Sequence, residues 1–375
     1  MIPFNKPYLT GKETEYIYDA VHNEGHISGN GKYTKLCQSY FESRYHFKKC
    51  LLTTSCTDAL EMSAILCDIL PGDEVIIPSY TFVSTALAFV RQGAVIRFID
   101  SKANHPGMDE SLIESLINHK TKAIVVVHYA GVACDMDVVM SLAEKYNILV
   151  VEDAAQAIDS YYKGKPLGSI GHLGCFSFHE TKNIQCGEGG MLVINDERFL
   201  RRAEIIWEKG TNRAEFFRGE VNKYGWIDIG SSFLPSDIIA AFLFAQLENM
   251  DEIQKVRKQI WDAYYKNLNS LSNLLSLPTL PGYATQNAHM FYAVFQSIEV
   301  RTSLLAFLKD KGYLSVFHYL SLHNSPYYIS KHDGRLLPNS ERYSACLVRF
   351  PMFYEISLHD IESICSSIKQ FFQSN

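Results

Sequence analysis

Short apolar runs alternate with helix-length amphipathic segments through the first half of the chain. Seven runs rich in β-branched residues, between about residues 48 and 195, predict strands: KCLLTT, DEVIIP, AVIRFID, KAIVVVH, ILVVED, CFSF and MLVIN. Stretches such as AIVVV and ILVV lack polar alternation, as expected of strands that are buried on both faces. Strands separated by helices predict an α/β fold, with a central, mostly parallel sheet between two layers of helices.

The pattern changes after Asn195, where longer helical segments dominate. One amphipathic helix is predicted from about Ser236 to Leu268, and the C-terminal third carries strand and helix patterns of its own. Single cores stop growing at about 250 to 300 residues, and this chain has 375. We therefore predict a large domain over residues 1–250 and a smaller C-terminal α+β domain over residues 251–375.

Composition and charge exclude several classes of protein. Hydrophobic residues make up 47% and charged residues 20% of the chain, which is typical of a globular protein. The net charge is −6 and no long basic cluster occurs, which argues against a nucleic-acid partner. No signal pattern or membrane-length apolar stretch is present, so we expect a cytoplasmic protein without a membrane partner. The nine cysteines are scattered without a C-x-x-C pair, which argues against disulfides and against a metal site.

Candidate ligand-binding residues follow the ends of the predicted strands. In parallel sheets, ligands bind outside the carboxyl ends of the strands. The residues that follow these ends, and are expected to converge, are Ser55, Cys56, Thr57, Tyr80, Thr81, Phe82, His128, Tyr129, Asp153, Gln156, Ser177 and Lys182.

Two charged residues in this set suggest chemistry, although each has an ordinary structural alternative. A lysine has a pKa of about 10.4 and becomes a nucleophile only where burial or a nearby charge lowers that pKa. Lys182 follows a predicted buried strand, but most loop lysines are simply solvated. A carboxylate at the end of a central strand needs a partner. Asp153 is therefore either a structural acid or the counter-ion of a protonated pyridine nitrogen.

The segment TTSCTDALEMSAI passes from a strand end into a helix. A helix start offers free N–H groups and the positive end of the helix dipole to a phosphate, although capping alone explains the same residues. Phe82 offers a face for a flat ring, or is part of the core. A phosphate cradle, a ring platform, a buried acid and an amine together match the needs of pyridoxal 5'-phosphate (PLP).

These segments also resemble the DegT/DnrJ/EryC1/StrS family of sugar aminotransferases. The likeness covers about residues 2 to 370, and its most specific parts are EDAAQ and SFHETKN; the other parts are SCTDALEMSAI, VHYAGVACDMD, GEGG and FHYLSLH. The resemblance implies a PLP-dependent transferase of the aspartate-aminotransferase type (fold type I). It also implies a homodimer with active sites at the subunit interface.

By this resemblance, Lys182 and Asp153 would be the catalytic pair. Lys182 would hold PLP as an imine, and Asp153 would pair with the pyridinium nitrogen. Gln156 would lie near the phenolic oxygen, Phe82 would stack on the ring, and the phosphate would be held by Ser55, Cys56, Thr57 and Ser177. Many family members have an asparagine that reaches the partner subunit's cofactor phosphate, where this chain has Ser232, so that contact stays open.

The resemblance further implies a reaction. L-glutamate would donate its amino group, leaving pyridoxamine 5'-phosphate, and a nucleotide-linked 4-keto-6-deoxy sugar would accept it. The likeness favours dTDP-4-keto-6-deoxyglucose as acceptor and dTDP-4-amino-4,6-dideoxygalactose as product, for a surface polysaccharide. Contacts with the substrate are implied for His318, Tyr319 and His323, beside ordinary structural roles.

Several alternatives remain open on the sequence alone. The chain could be a sibling aminotransferase with another sugar position, epimer or nucleotide. It could also be a PLP-dependent lyase or aldolase, or a non-catalytic regulator that has kept the fold. The family branch that performs dehydration has histidine in place of the lysine, and Lys182 disfavours it.

Overall fold

The computed structural model describes residues 1–374, and a seven-stranded sheet forms its centre. The first nine strands in chain order are β1 Cys50–Thr53, β2 Glu74–Pro78, β3 Val95–Ile99, β4 Thr121–Val127, β5 Leu149–Asp153, β6 Tyr161–Tyr162, β7 Lys165–Pro166, β8 Leu173–Ser177 and β9 Gly190–Ile194. The large sheet has the order β1-β9-β8-β5-β4-β2-β3, and β6 and β7 form a separate hairpin. All seven predicted strands therefore belong to the large sheet.

Six strands of the large sheet run in one direction, and β9 alone is antiparallel to its neighbours β8 and β1. The carboxyl ends of those six strands therefore lie at one edge. Gly190 begins β9 against the residues that follow β1. A Cβ on Gly190 would lie 2.3 Å from the carbonyl carbon of Ser55, so this close packing requires glycine.

Helices cover both faces of the large sheet. The helices are α1 Glu13–Tyr18, α2 Lys32–Tyr45, α3 Cys56–Leu66, α4 Val83–Val90, α5 Ile113–Leu116, α6 Met136–Tyr146, α7 Leu200–Trp207, α8 Arg213–Phe217, α9 Asp237–Leu247, α10 Met250–Leu268, α11 Ile298–Asp310, α12 Pro338–Cys346 and α13 Leu358–Ser374. Residues of α2, α6 and α9 pack on one face, and residues of α3, α4 and α7 pack on the other. The strands are thus buried on both sides, as their apolar runs predicted.

A second, three-stranded antiparallel sheet lies in the C-terminal third. It consists of β10 Tyr292–Val294, β11 Val316–Phe317 and β12 Leu347–Arg349, in the order β10-β12-β11. Helices α10, α11 and α13 share a separate core with this sheet. This is the predicted α+β architecture, and α10 begins at the predicted domain boundary, which stays a prediction. Among residues 1–374, no helix has both the length and the apolar character that crossing a membrane requires.

The single helix predicted from Ser236 to Leu268 is wrong, because the structure has two helices there, α9 and α10. Asn249 leaves helical geometry, with φ −108° and ψ 11°. Its side-chain amide donates to the carbonyl of Ala245 at 3.1 Å. Asparagine side chains compete for backbone groups in this way, which explains a break that the apolar pattern does not reveal.

Candidate active site

A cavity of about 500 Å³ opens at the carboxyl edge of the large sheet, and residues near the ends of the strands of the smaller sheet also line it. It brings together ten of the twelve residues that the family resemblance assigns to cofactor or substrate: Ser55, Cys56, Thr57, Phe82, Asp153, Gln156, Ser177, Lys182, His318 and Tyr319. Of the other residues predicted to converge at the strand ends, Thr81 lines the cavity, whereas Tyr80, His128 and Tyr129 do not. Ser232 and His323 do not line this cavity. The parallel strand direction explains why side chains so distant in sequence meet at one place.

Asp153 is the last residue of β5 and is buried. One carboxylate oxygen accepts a hydrogen bond from the hydroxyl of Thr85 at 2.7 Å, and the other accepts from the N–H of Ala155 at 3.1 Å. Burial raises the pKa of Asp153, and these two hydrogen bonds partly oppose that effect. A carboxylate has room for about four hydrogen bonds, so Asp153 can accept a further donor from the cavity.

Lys182 lies in the loop between β8 and β9. The loop is closed by two backbone hydrogen bonds of 2.8 Å, from Phe178 to Gly189 and from Cys186 to Phe178. A Cβ on Gly189 would lie 2.4 Å from the sulfur of Cys186, so glycine is required for this closure. Burial lowers the pKa of Lys182. Its Nζ makes no hydrogen bond or ion pair with any of residues 1–374, and it faces the cavity as a free amine.

The start of α3 forms an anion site beside Lys182. Ser55 caps this eleven-residue helix, and its hydroxyl accepts from the N–H of Asp58 at 3.1 Å. The N–H groups of Cys56 and Thr57 find no acceptor within residues 1–374. Unpaired N–H groups at a helix start bind phosphate well. The hydroxyl of Ser177 lies on the same cavity wall. This donor set, the acid and the amine together fit PLP.

Gln156 and Phe82 shape the space between these groups. The side-chain oxygen of Gln156 accepts from the N–H of Ala130 at 2.6 Å, and its nitrogen donates to the hydroxyl of Tyr319 at 2.9 Å. Tyr319 has a φ of +53°, a left-handed conformation that is uncommon for a bulky residue. The ring of Phe82 is 55% exposed and lies 6.1 Å from that of Tyr319. One face of Phe82 is therefore open to a ligand.

The remaining predicted residues separate into two groups. His318 lines the cavity, and its Nδ1 lies 2.8 Å from the hydroxyl of Tyr129. His323 instead lies outside the cavity, where its ring nitrogens pair with Ser79 at 2.6 Å and Glu341 at 3.2 Å. Ser232 is exposed on the surface, so its contact with a partner subunit stays a prediction.

Arg349 and His289 line the cavity although the sequence did not single them out. Arg349 ends β12; it has no ion-pair partner within residues 1–374, and its buried Nε has no hydrogen bond. Burial lowers its pKa. In the sequence, Arg349 is a charged residue at the end of the apolar run LVR, and His289 directly precedes the apolar run MFYAV. Neither signal predicts contact with strand ends more than 100 residues earlier.

The fold and the cavity define a PLP-dependent transferase of the aspartate-aminotransferase type. The sequence profile of the DegT/DnrJ/EryC1/StrS aminotransferase family matches residues 8–369, and the chain belongs to this family. Among the part of the chain that the structure describes, no three His, Cys, Asp or Glu side chains group as a metal site would require.

Known proteins of this kind are similar over their full length. GDP-perosamine synthase of Escherichia coli O157:H7 is 33% identical over 375 residues, covering 99% of this chain and 98% of that protein. The structure of the aminotransferase TlmJ from Streptoalloteichus hindustanus superposes with a TM-score of 0.91 at 26% identity, over 100% of this chain and 99% of TlmJ.

The aminotransferase Spr1654 of Streptococcus pneumoniae is known in two cofactor forms. Its PLP form has a TM-score of 0.90, and its pyridoxamine 5'-phosphate form one of 0.91, both at 25% identity. Both matches cover 100% of this chain, and 99% and 100% of the respective structures. The predicted cofactor, PLP cycling through pyridoxamine 5'-phosphate, is confirmed at the level of the family.

Proposed function

We propose that this chain is a sugar aminotransferase that moves the amino group of L-glutamate to a nucleotide-linked 4-keto-6-deoxy sugar. The proposed acceptor is dTDP-4-keto-6-deoxyglucose, and the product is dTDP-4-amino-4,6-dideoxygalactose. The observation that carries this proposal is the free amine of Lys182 in one cavity with buried Asp153 and the helix-start anion site. Similarity to GDP-perosamine synthase favours a second candidate, in which the same chemistry acts on a GDP-linked sugar.

The proposed cofactor contacts follow from the geometry of the cavity wall. When bound, PLP supplies an aldehyde that takes up amino groups and a ring that withdraws electrons. Asp153 would hold the proton on the ring nitrogen, because its carboxylate retains free acceptor sites. Backbone N–H groups at the start of α3, with hydroxyls from Ser55, Thr57 and Ser177, hold the phosphate. Phe82 and Gln156 would also contact the cofactor, as a platform for its ring and as an amide donor respectively.

Lys182 performs the proton transfer. Its lowered pKa increases the fraction of neutral amine near pH 7. The neutral Nζ would act as a general base that removes the proton from the α-carbon of glutamate, and then as the acid that returns it. With the sugar as acceptor, Nζ would deliver a proton to the sugar carbon that receives the nitrogen.

Arg349 orients the amino donor in this proposal. It is half-buried, its Nε is fully buried, and it has no carboxylate partner within residues 1–374. A guanidinium binds a carboxylate through two parallel hydrogen bonds, which fixes the position of the attached carbon. The α-carboxylate of glutamate meets this need, and its α-carbon then faces Lys182 across the cavity.

A second copy of the chain completes the proposed enzyme. The segment before Ser232 exposes large apolar side chains, of which Trp226 is 84% and Phe217 69% exposed. Exposed aromatic groups of this kind mark protein interfaces. We infer a homodimer in which this segment packs on the partner and brings Ser232 towards the partner's phosphate site. Sedimentation should give a dimer, and Trp226→Glu should shift it towards monomer; a monomeric native protein would contradict the inference.

The test of the proposed function is a visible absorbance titration of the PLP-loaded protein. L-glutamate should remove the band of lysine-bound cofactor, and dTDP-4-keto-6-deoxyglucose should restore it. Restoration only by a GDP-linked 4-keto-6-deoxyhexose would establish the second candidate. A PLP-loaded protein that does not respond to glutamate would contradict aminotransfer from this donor and favour a lyase or a regulator. Proton NMR of the product assigns the configuration of the new amine.

A further inference from the structure

Two further side chains of the loop between β8 and β9, those of His179 and Glu188, line the same cavity as Lys182. Both are accessible: the side chain of His179 is 40% exposed, and that of Glu188 is 71% exposed. The backbone N–H of Lys182 donates to the carbonyl of His179 at 2.9 Å, which keeps the histidine beside the lysine. The pair therefore lies on the solvent side of the cavity, next to the residue that carries the amine.

Backbone hydrogen bonds hold the two side chains opposite each other. The N–H of Phe178, before the histidine, donates to the carbonyl of Gly189, after the glutamate, at 2.8 Å. The N–H of Glu180, after the histidine, donates to the carbonyl of Gly187, before the glutamate, also at 2.8 Å. This is the pattern around a non-hydrogen-bonded pair of antiparallel strands, in which the two side chains come close together. The loop itself thus fixes the pair, without a ligand.

The pair offers a hydrogen-bond donor and an acceptor side by side. Nδ1 of His179 accepts from the backbone N–H of Thr181 at 3.2 Å, so the hydrogen of the neutral ring is on Nε2. Nε2 lies 3.7 Å from Oε1 of Glu188, which is beyond hydrogen-bond distance. Within residues 1–374, neither Nε2 nor the carboxylate makes a hydrogen bond. Both groups are therefore available to a ligand.

The proposed acceptor would bring hydroxyl groups to this place. Its C4 has to approach Lys182, which delivers a proton to that carbon, whereas the nucleotide on C1 has to extend out of the cavity. C3 and C2 lie between these two ends, and each carries a hydroxyl. A hydroxyl both donates and accepts, so neighbouring hydroxyls match a carboxylate beside an imidazole N–H.

We propose that His179 and Glu188 recognise the ring hydroxyls of the acceptor sugar. The carboxylate of Glu188 accepts a hydrogen bond from one hydroxyl, and the Nε2–H of His179 donates to the neighbouring one. The inference rests on the proposed function, because it takes a nucleotide-linked keto sugar as the acceptor. It makes this pair a determinant of specificity, since a carbonyl compound without hydroxyls would forgo both bonds.

An unreactive sugar nucleotide measures this recognition without turnover. dTDP-6-deoxyglucose has a hydroxyl in place of the keto group and cannot accept the amine. Calorimetry on the full-length protein loaded with pyridoxamine 5'-phosphate should give a Kd that rises about 10-fold in Glu188→Ala and about 3-fold in His179→Phe, the effects of one charged and one neutral hydrogen bond. Glu180→Ala removes an exposed carboxylate of the same loop that does not line the cavity, and should leave the Kd unchanged. A GDP-linked 6-deoxyhexose is the probe if the second candidate is the acceptor.

Deoxygenated probes separate recognition from loop structure. The 2-deoxy and 3-deoxy forms are bound to the native protein and to Glu188→Ala. One form should bind the native protein about 10-fold more weakly than the parent probe but bind Glu188→Ala no more weakly, because the shared hydrogen bond is already absent there. Glu188→Gln keeps an acceptor oxygen and should lose less than Glu188→Ala; melting temperatures verify that the variants fold. If every probe lost the same factor in Glu188→Ala, the pair would have no role in recognising hydroxyls.

The glutamate half of the reaction distinguishes this inference from the proposed function. The effect of Glu188→Ala should be confined to the sugar, so glutamate should still remove the band of lysine-bound cofactor at the native rate. An equal slowing of both halves would overturn the recognition role and leave the proposed function standing. A native protein that binds neither nucleotide sugar would overturn the proposed function, and this inference with it.

Discussion

Two adjacent carboxylates at the end of β5 face opposite sides of the large sheet and have opposite surroundings. Glu152 is fully buried away from the cavity and accepts four hydrogen bonds: from the N–H groups of Gly168, Ile170 and Gly171, and from Nε2 of His128, at 2.6 to 2.9 Å. Asp153, on the cavity side, accepts only two. One carboxylate is saturated by the protein, and the other is not.

This difference separates a structural group from one that awaits a ligand. A buried charge is tolerated when enough hydrogen-bond donors surround it, and the protein alone supplies enough donors to Glu152. Asp153 has enough donors only when another donor enters the cavity. The amine of Lys182 has no hydrogen-bond or ion-pair partner within residues 1–374 either, and the buried Nε of Arg349 has no hydrogen bond. At the end of β5, therefore, the carboxylate on the cavity side lacks partners and the carboxylate on the opposite side does not.

The largest expected effect on the cavity side is that of Lys182→Ala. It should lower kcat by at least about 10⁴-fold, because proton transfer at the α-carbon and covalent binding of the cofactor are both lost. The measurement is the steady-state formation of 2-oxoglutarate from glutamate. The exposed Lys165→Ala is the matched control and should retain full activity. Substantial turnover in Lys182→Ala would place the catalytic amine elsewhere.

Asp153→Asn should lower kcat about 10³-fold, because a neutral amide cannot hold the proton on the ring nitrogen. Folding stability should change by only about 1 kcal/mol, since removal of an under-solvated charge offsets the loss of its hydrogen bonds. Turnover and the urea midpoint measure the two effects in one preparation. Retained activity with a lowered midpoint would make Asp153 a structural acid like Glu152.

The strand-end side of the cavity could be predicted from sequence, and the opposite wall could not. Asp153 and Lys182 each follow an apolar run, and parallel strands bring such positions together whatever the loops do. Arg349 ends a strand of the smaller sheet and His289 precedes one, and these strands have only two or three residues, too few for a recognisable alternation. Their place depends on how two cores pack together, which local patterns do not encode.

The number of hydrogen bonds that each carboxylate accepts could not be predicted from the sequence either. Glu152 and Asp153 are neighbours of the same charge at the end of one apolar run. Alternation along a strand predicts that they face opposite sides. It does not predict that the turn around Gly168 and Gly171 directs N–H groups at only one of them. His323 shows the same limit, because its motif suggested substrate whereas its neighbours are Ser79 and Glu341.

Glu152→Gln should have the opposite effects to Asp153→Asn: a large loss of stability and little change in kcat. An amide replaces one acceptor oxygen by a donor that faces N–H groups, so stability should fall by about 3 to 5 kcal/mol. The kcat per folded molecule should stay within a few-fold, because Glu152 does not reach the cavity. Urea denaturation and active-site titration with PLP provide the measurements. If Glu152→Gln lost kcat while its stability stayed unchanged, Glu152 would be a functional group like Asp153 and not a structural one.

The smallest expected effect concerns Thr85, which provides one of the two hydrogen bonds to Asp153. Its hydroxyl donates to the carboxylate at 2.7 Å and lies 3.0 Å from the hydroxyl of Thr81. Thr85→Val removes a bond that favours the charged form, so the pKa of Asp153 rises further. Asp153 acts in its ionised form, and the acidic limb of kcat/KM should therefore move to higher pH, by about one unit. Thr85→Ser should leave the limb in place, and Thr81→Val should move it less. A limb that does not respond to Thr85→Val would mean that ligand donors, rather than the protein, set the charge of Asp153.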